Sequence, residues 1–321
     1  MKVSVSPPPR KSVRAERVVT LAVVVGPFLG LLAAMVAAWG RGISGIDLAL
    51  MAGMYALTGL GVTVGFHRLF THRSFQAVRP LKWALAVLGS MAAQGPLLTW
   101  VAVHRRHHRH SDREDDPHSP HSHGGGVRGV LMGFLHAHVG WMLKPHPTDQ
   151  ARYVRDLRRD HVLRRISDWF GAWVALGLLL PAVAGGLLTG SWPGALLGLL
   201  WGGLARMFVL HHVTWSVNSV CHLWGGRPFG SDDQSRNNPL FGILGFGEGW
   251  HNNHHAFPSS ARHGLRWWEF DLSYGVIRVL EAAGLAWGVR VPAPAVVEAR
   301  RVIRAPARDR ADARWSGAVC R

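Results

Sequence analysis

Four long apolar runs, at residues 18–39, 43–66, 169–188 and 195–220, constrain this chain before any other feature does. The first holds 22 residues, roughly 33 Å as a helix at about 1.5 Å per residue, enough to cross a bilayer. It is too long for the apolar core of a signal peptide, and no convincing cleavage site follows it. The chain is 48% apolar yet carries a formal charge of +17. The two facts agree if the runs lie in a membrane and the basic residues lie beside it. Lys2, Arg10, Lys11, Arg14 and Arg17 precede the first run, so the N-terminus is expected in the cytoplasm. The connections after the first and third runs carry only Arg41 and Asp47, and are the expected outside loops. The segments 67–168 and 221–321 are crowded with Arg and are expected to face the cytoplasm. A nucleic-acid partner is not supported, because no recognition motif accompanies the charge. Cys221 and Cys320 are the only cysteines, too few for a thiolate zinc site.

A fifth apolar run, 81–103, has spanning length but is interrupted at Gly89, Gln94, Gly95 and Pro96. Histidines stand on both sides of it: His67 and His72 before, His104, His107 and His108 after. If the run crossed, these groups could not share a metal. We therefore read it as a re-entrant or interfacial segment, tolerable where irregular backbone is buried in protein. Four spans then put every histidine run on one face.

The runs His104-Arg-Arg-His-His108 and His251-Asn-Asn-His-His255 repeat one pattern. On a helix, positions three and four residues on return to the same face, so each run can offer up to three imidazoles to one place. His67 and His72 are five apart, splayed by roughly 140° on a regular helix. That pair could straddle two ions, or sit where a helix ends. Asn218 and His222 are four apart at the end of the fourth run, with His211 seven before Asn218 on the same stripe. His136, His138, His146, His161 and His263 are read as ordinary satisfied or exposed side chains. Imidazole suits Zn, Cu, Fe and Ni, so ligand type leaves the metal open. Eight or nine imidazoles exceed the four of a structural zinc site and suffice for two metals. Zinc would leave only hydrolysis or transport, whereas iron could activate O₂ against an unactivated lipid chain.

His67-Arg-Leu-Phe-Thr-His72, His104-Arg-Arg-His-His108 and Gly247-Glu-Gly-Trp-His-Asn-Asn-His-His-Ala-Phe-Pro258 closely resemble the three histidine boxes of membrane fatty acyl desaturases of the stearoyl-CoA (delta-9) type. The likeness continues in Asp115-Asp116-Pro117-His118, His138-Val-Gly-Trp141 and Thr214-Trp-Ser-Val-Asn-Ser-Val-Cys-His222, and covers roughly residues 67–268. It implies a bacterial member with an all-α integral membrane fold: four transmembrane helices and a cytoplasmic helical domain carrying a histidine-rich diiron site. It also implies that two irons are held by His67, His72, His104, His107, His108, His222, His251, His254 and His255, with Asn218 reaching one of them through water. O₂ is the implied cosubstrate, and two electrons must come from outside. The chain has no G-x-G-x-x-G after a strand and no haem or iron–sulfur motif. No bound flavin, haem or nicotinamide is therefore expected, and a separate reductase with a ferredoxin or cytochrome is. Arg105, Arg106 and Arg109 are candidates to receive an acidic donor or anionic headgroups.

By the same resemblance Gln94, Trp100 and Thr214 shape the kink of a substrate tunnel. Animal enzymes contact coenzyme A through an Asn after the Gln and an Arg-Asp pair before the second box, where this chain has Gly95, Ala102 and Val103. Those contacts are lost; acyl-CoA is still the first expected substrate, with acyl-lipid and carrier-protein thioesters as open alternatives. Asp112, Asp116 and Glu248 are candidates to accept imidazole N–H groups and so orient ligands, with a turn cap the alternative for Asp116. Trp267 and Trp268 look like an interfacial anchor. The expected organisation is a basic tail at 1–17, a membrane domain at 18–290 and a basic tail at 291–321 without a catalytic role. The rival activities are a membrane diiron hydroxylase or other monooxygenase, and a divalent-metal transporter, for which the ligands sit too far from the bilayer midplane.

Overall fold

The computed structural model describes residues 10–143 and 148–302, with side chains from residue 17 onward. Lys2, His146, Cys320 and the tail beyond residue 302 fall outside it, as do the side chains of Arg10, Lys11 and Arg14. Four helices have the length and hydropathy of membrane spans: Arg17–Ala38, Gly45–Thr71, Phe170–Thr189 and Trp192–Leu223. The protein is thus an all-α integral membrane protein, and the spans lie where the apolar runs placed them. The second begins at a capping box, in which Ser44 Oγ accepts from Asp47 N and Asp47 Oδ2 accepts from Ser44 N, both at 3.1 Å. The only paired strands among the described residues are Gln76–Ala77 and Ala286–Trp287, antiparallel.

The segment 81–103 turns back, as expected. Helix Arg79–Ser90 runs along the second span and helix Leu97–His110 returns to the same end. The break falls at residues 91–96, where Ala93 and Gly95 have φ of 58° and 110°. Close approach is what allows the hairpin: a Cβ on Gly61 would lie 2.3 Å from Gly89 N. Arg206, fully buried in the fourth span, satisfies the broken backbone. Its guanidinium donates to Met91 O at 3.2 Å and to Gly177 O at 3.0 Å. Irregular backbone inside a membrane protein needs such a partner. His211 serves the same break, with Nε2 2.8 Å from Ala92 O. It belongs to this joint and not to the histidine clusters.

Two of the spans contain π-helical stretches, Gly61–Thr71 and Gly198–Ala205. Most residues of segment 291–302 are exposed, and a few contacts tie it to the body. Val302 N donates to Pro228 O at 2.9 Å, and Val297 packs against Phe229, Ala256 and Phe257. The segment includes the short helix Pro294–Ala299, after which Arg300 donates to Ala256 O and lies over the Phe257 ring.

Candidate metal centre

His67 and His72 close the π-helical end of the second span, where His72 N donates to His67 O at 3.1 Å. An i→i+5 turn brings residues five apart to one side of the helix. Helix Leu97–His110 presents His104, His107 and His108, the fourth span presents His222, and the short helix His251–Ala256 presents the third run. The nine imidazoles divide into two groups. His67, His72, His104, His108 and His254 form one, and His107, His222, His251 and His255 the other, the ligand atoms of each lying within 4.8 Å of one another. The two HxxHH runs are therefore each split, contrary to the idea that a run serves one place. His104 and His108 join His254, while His251 and His255 join His107. Helical spacing explains the exchange: positions i and i+4 point slightly to one side of position i+3. The groups adjoin, with the His108 and His255 rings stacked at 4.5 Å.

Carboxylates hold several of the rings. Glu248 Oε2 is 2.5 Å from His67 Nδ1, Asp116 3.0 Å from His107 Nδ1 and Asp112 Oδ2 2.8 Å from His222 Nδ1. Asp116 also accepts from the backbone N–H of Asp112 and His118, so it both orients a histidine and ties a turn. Asp233, which spacing did not single out, accepts from His255 Nδ1 at 2.5 Å. Gly247, at φ 111°, lets Glu248 reach His67; a Cβ there would meet Asp271 Oδ1 at 2.4 Å. Arg68, fully buried, lies between Glu248 at 3.2 Å and Asp271 at 2.8 Å.

His263 is buried as well, its ring 4.4 Å from that of His254 and its Nδ1 3.4 Å from Glu248. It is part of this cluster and not an isolated residue. His118 sits beside Asp116 and stacks near His107. His138 is satisfied by Ser219 and His212.

Burial pushes His72, His104, His108, His251 and His254 well below the ordinary histidine range, and neighbouring imidazoles add to the effect. Burial favours the neutral forms of Asp112, Asp116 and Asp233, but His222, His107 and His255 outweigh it and hold them below the usual carboxylate range. Those five imidazoles are thus held neutral, the form that binds metal, while at His107 burial is outweighed by Asp116, which raises the pKa.

The geometry fits a cation. His254 Nε2 is 3.1 Å from His67 Nε2 and 2.9 Å from His108 Nε2, and His222 Nε2 is 3.0 Å from His251 Nε2. His67 and His222 donate through Nδ1, so their Nε2 atoms carry lone pairs that face other nitrogens. Two ligand atoms about 2.1 Å from an ion and at right angles are about 3.0 Å apart. His72 Nε2, His107 Nε2 and His255 Nε2 are buried without a hydrogen-bond partner. An opening of about 270 Å³, lined by His72, His108, His255, Asp233 and Arg105, reaches both groups.

Of the substrate candidates, Gln94 Nε2 donates to Thr214 Oγ1 at 3.0 Å at the re-entrant break. Trp100 stacks on His104 with centroids 5.0 Å apart. Asn218 is half-buried on the fourth span, one turn before His222. Arg105 is not a free surface cation: it is bound to Asp156 at 2.7 Å and to the carbonyls of Phe70, Thr71 and Tyr153. Arg106 donates to Asp115 O at 2.9 Å, and Arg109 is exposed.

Residues 45–288 match the family model described as fatty acid desaturase. A hex-5-enoyl-[acyl-carrier protein] acetylenase of Moorena producens (strain JHB) is 46% identical over 278 residues, covering 86% of this chain and 87% of its own length. An sn-1 stearoyl-lipid 9-desaturase of Anabaena variabilis is 40% identical over 250 residues, 77% of this chain and 84% of its own. An icosanoyl-CoA 5-desaturase of Limnanthes douglasii is 38% identical over 242 residues, 74% and 62%. By the extent of the family match and of these identities, the chain belongs to the fatty acid desaturase family.

Proposed function

We propose that the chain is an O₂-dependent desaturase that places one cis double bond, at the delta-9 position, in a saturated acyl chain delivered as its coenzyme A thioester. The observation that carries the reading is the division of nine imidazoles into adjoining groups of five and four. Two iron ions held by these histidines would supply the O₂ activation that the removal of two neighbouring hydrogens needs. The balance is –CH₂–CH₂– + O₂ + 2 e⁻ + 2 H⁺ → –CH=CH– + 2 H₂O.

The chain's own residues do the rest. Glu248, Asp116, Asp112 and Asp233 fix the tautomer and direction of His67, His107, His222 and His255. Asn218 holds a water toward the four-histidine position. Gln94, Thr214 and Trp100 bend the acyl chain so that one pair of carbons faces the metals. The electrons come from a separate reductase with a ferredoxin or cytochrome. The metal centre and both termini face the cytoplasm, in keeping with the Arg-rich composition of 67–168 and 221–321.

A second reading of the carrier rests on one observation. The 46%-identical relative is named for a substrate bound to acyl-carrier protein, and the positions that would contact coenzyme A are Gly95, Ala102 and Val103. Fatty-acid profiling of a desaturase-deficient host expressing the chain tests the reaction, and a new delta-9 monoene is expected. A hydroxylated chain without an alkene would make it a diiron hydroxylase instead. Purified protein given the same chain on coenzyme A, on carrier protein or in a glycerolipid identifies the carrier.

A further inference from the structure

The carboxylates around the two histidine groups are unevenly shared. Three back the four-histidine group: Asp116 on His107, Asp112 on His222 and Asp233 on His255. One, Glu248 on His67, backs the five-histidine group. Among the described residues no carboxylate is hydrogen-bonded to His72, His104, His108 or His254, and the ring beside His254 is the imidazole of His263. Glu248 is itself neutralised in part. With Asp271 it shares the buried Arg68, so this network sums to one negative charge, two carboxylates against one guanidinium. The other group faces three.

A carboxylate that accepts from a ligand imidazole makes the ligand more basic and adds negative charge close to the ion. Both effects favour the more highly charged state of a metal, and they are strong where the surroundings are dry. Five neutral donors with little anionic backing favour the lower state. We infer that the two metal positions are electrostatically unequal: the five-histidine position is reduced first and the four-histidine position keeps ferric iron longer. This rests on the diiron reading above. The first electron from a one-electron reductant converts Fe³⁺ to Fe²⁺ among His67, His72, His104, His108 and His254. The second does the same among His107, His222, His251 and His255. The half-reduced protein therefore has one defined arrangement of valences.

The test uses the full chain in detergent, loaded with iron and titrated anaerobically with dithionite while Mössbauer and electron paramagnetic resonance spectra are recorded. Two irons per chain, two separate reduction waves and one ferrous with one ferric signal at the midpoint are expected. Asp233→Asn removes charge from the four-histidine side and narrows the gap between the waves by about tenfold in equilibrium constant, about 59 mV for one electron. Asp112→Asn does the same and serves if the loop held by Asp233 through Ser231 and Ser235 fails to fold. Glu248→Gln removes the one net negative charge of the Glu248–Arg68–Asp271 network and widens the gap. Coincident waves in the unaltered protein, or both kinds of variant moving the gap the same way, would overturn the inference and leave the diiron reading standing. Fewer than two irons in the unaltered protein would remove the reading itself and the inference with it.

Discussion

The rings of His67 and His72 lie 4.8 Å apart, edge to face, although their positions on a regular helix would be splayed by roughly 140°. The π-helical stretch Gly61–Thr71 is the reason, because its wider turn returns position i+5 to position i. Both histidines therefore join one group, and the second span reaches only the five-histidine position.

That geometry sets a prediction for metal content. His72→Ala removes one imidazole from the five-histidine group and leaves all four rings of the other in place. Metal analysis after iron-replete expression is expected to fall from two ions per chain toward one, with desaturation lost. Full occupancy in this variant would take His72 out of the ligand set.

His254 bridges the other runs to this group, with Nε2 within 3.1 Å of both His67 and His108. His254→Ala is expected to abolish desaturation while membrane insertion, measured by extraction and protease mapping, stays intact. Unaltered activity would contradict its placement as a ligand.

The re-entrant hairpin depends on backbone contact between Gly61 and Gly89. Gly61→Ala puts a Cβ 2.3 Å from Gly89 N, a backbone atom that cannot step aside, whereas Gly53 in the same helix has open space around it. Overpacking of this kind costs about 1–3 kcal/mol. Thermal unfolding in detergent should show a lower Tm for Gly61→Ala and none of that loss for Gly53→Ala. Equal behaviour of the two would mean that the hairpin does not need the close approach.

A pH dependence follows from Asp156. Partial burial favours its neutral form, but Arg105 and Arg73 outweigh burial and lower its pKa to about 2. A depressed folded-state value gives stability that is present above the unfolded value, about 3.9, and is lost as pH falls through the folded one. Asp156→Asn should therefore lower the Tm at neutral pH by the equivalent of about 1 kcal/mol, discounted for partial exposure. The difference from the unaltered protein should shrink between about pH 4 and pH 2. A difference that stays constant over that window would show that the ion pairs contribute nothing.

What could be read in advance and what could not differ in range. Composition alone located the spans, since 18–39 and 169–188 became Arg17–Ala38 and Phe170–Thr189. The turn at Gln94 to Pro96 was legible because histidines on both sides had to meet. Nothing local marks a π-helix, so the convergence of His67 and His72 stayed open, as did the exchange of rings between the two HxxHH runs. Asp233, His263 and Arg206 act through side-chain contacts with distant segments, as Asp233 does with His255 and Arg206 with Met91. No spacing rule links such pairs. Segment 291–302 is mostly Val, Ala and Pro with Glu298, Arg300 and Arg301, and a backbone bond of the kind Val302 makes to Pro228 leaves no trace in side-chain pattern.

The Gln94–Thr214 bond joins the re-entrant break to the fourth span one turn before Asn218, and neither residue belongs to the two histidine groups. Thr214→Val keeps the volume and removes the hydroxyl, leaving the Gln94 amide without that acceptor. An unpaired, half-buried amide costs about 1–3 kcal/mol, enough to let the kink relax. Metal content should not change, because no ligand is touched. Turnover is expected to fall about tenfold, the equivalent of about 1.4 kcal/mol in the barrier. The new double bond should spread to neighbouring positions as the acyl chain slides in a looser bend. Gas chromatography of the products reads both effects. Should Thr214→Val give the same single product at full rate, the bend must be set elsewhere, and Trp100 stacked on His104 becomes the residue to replace.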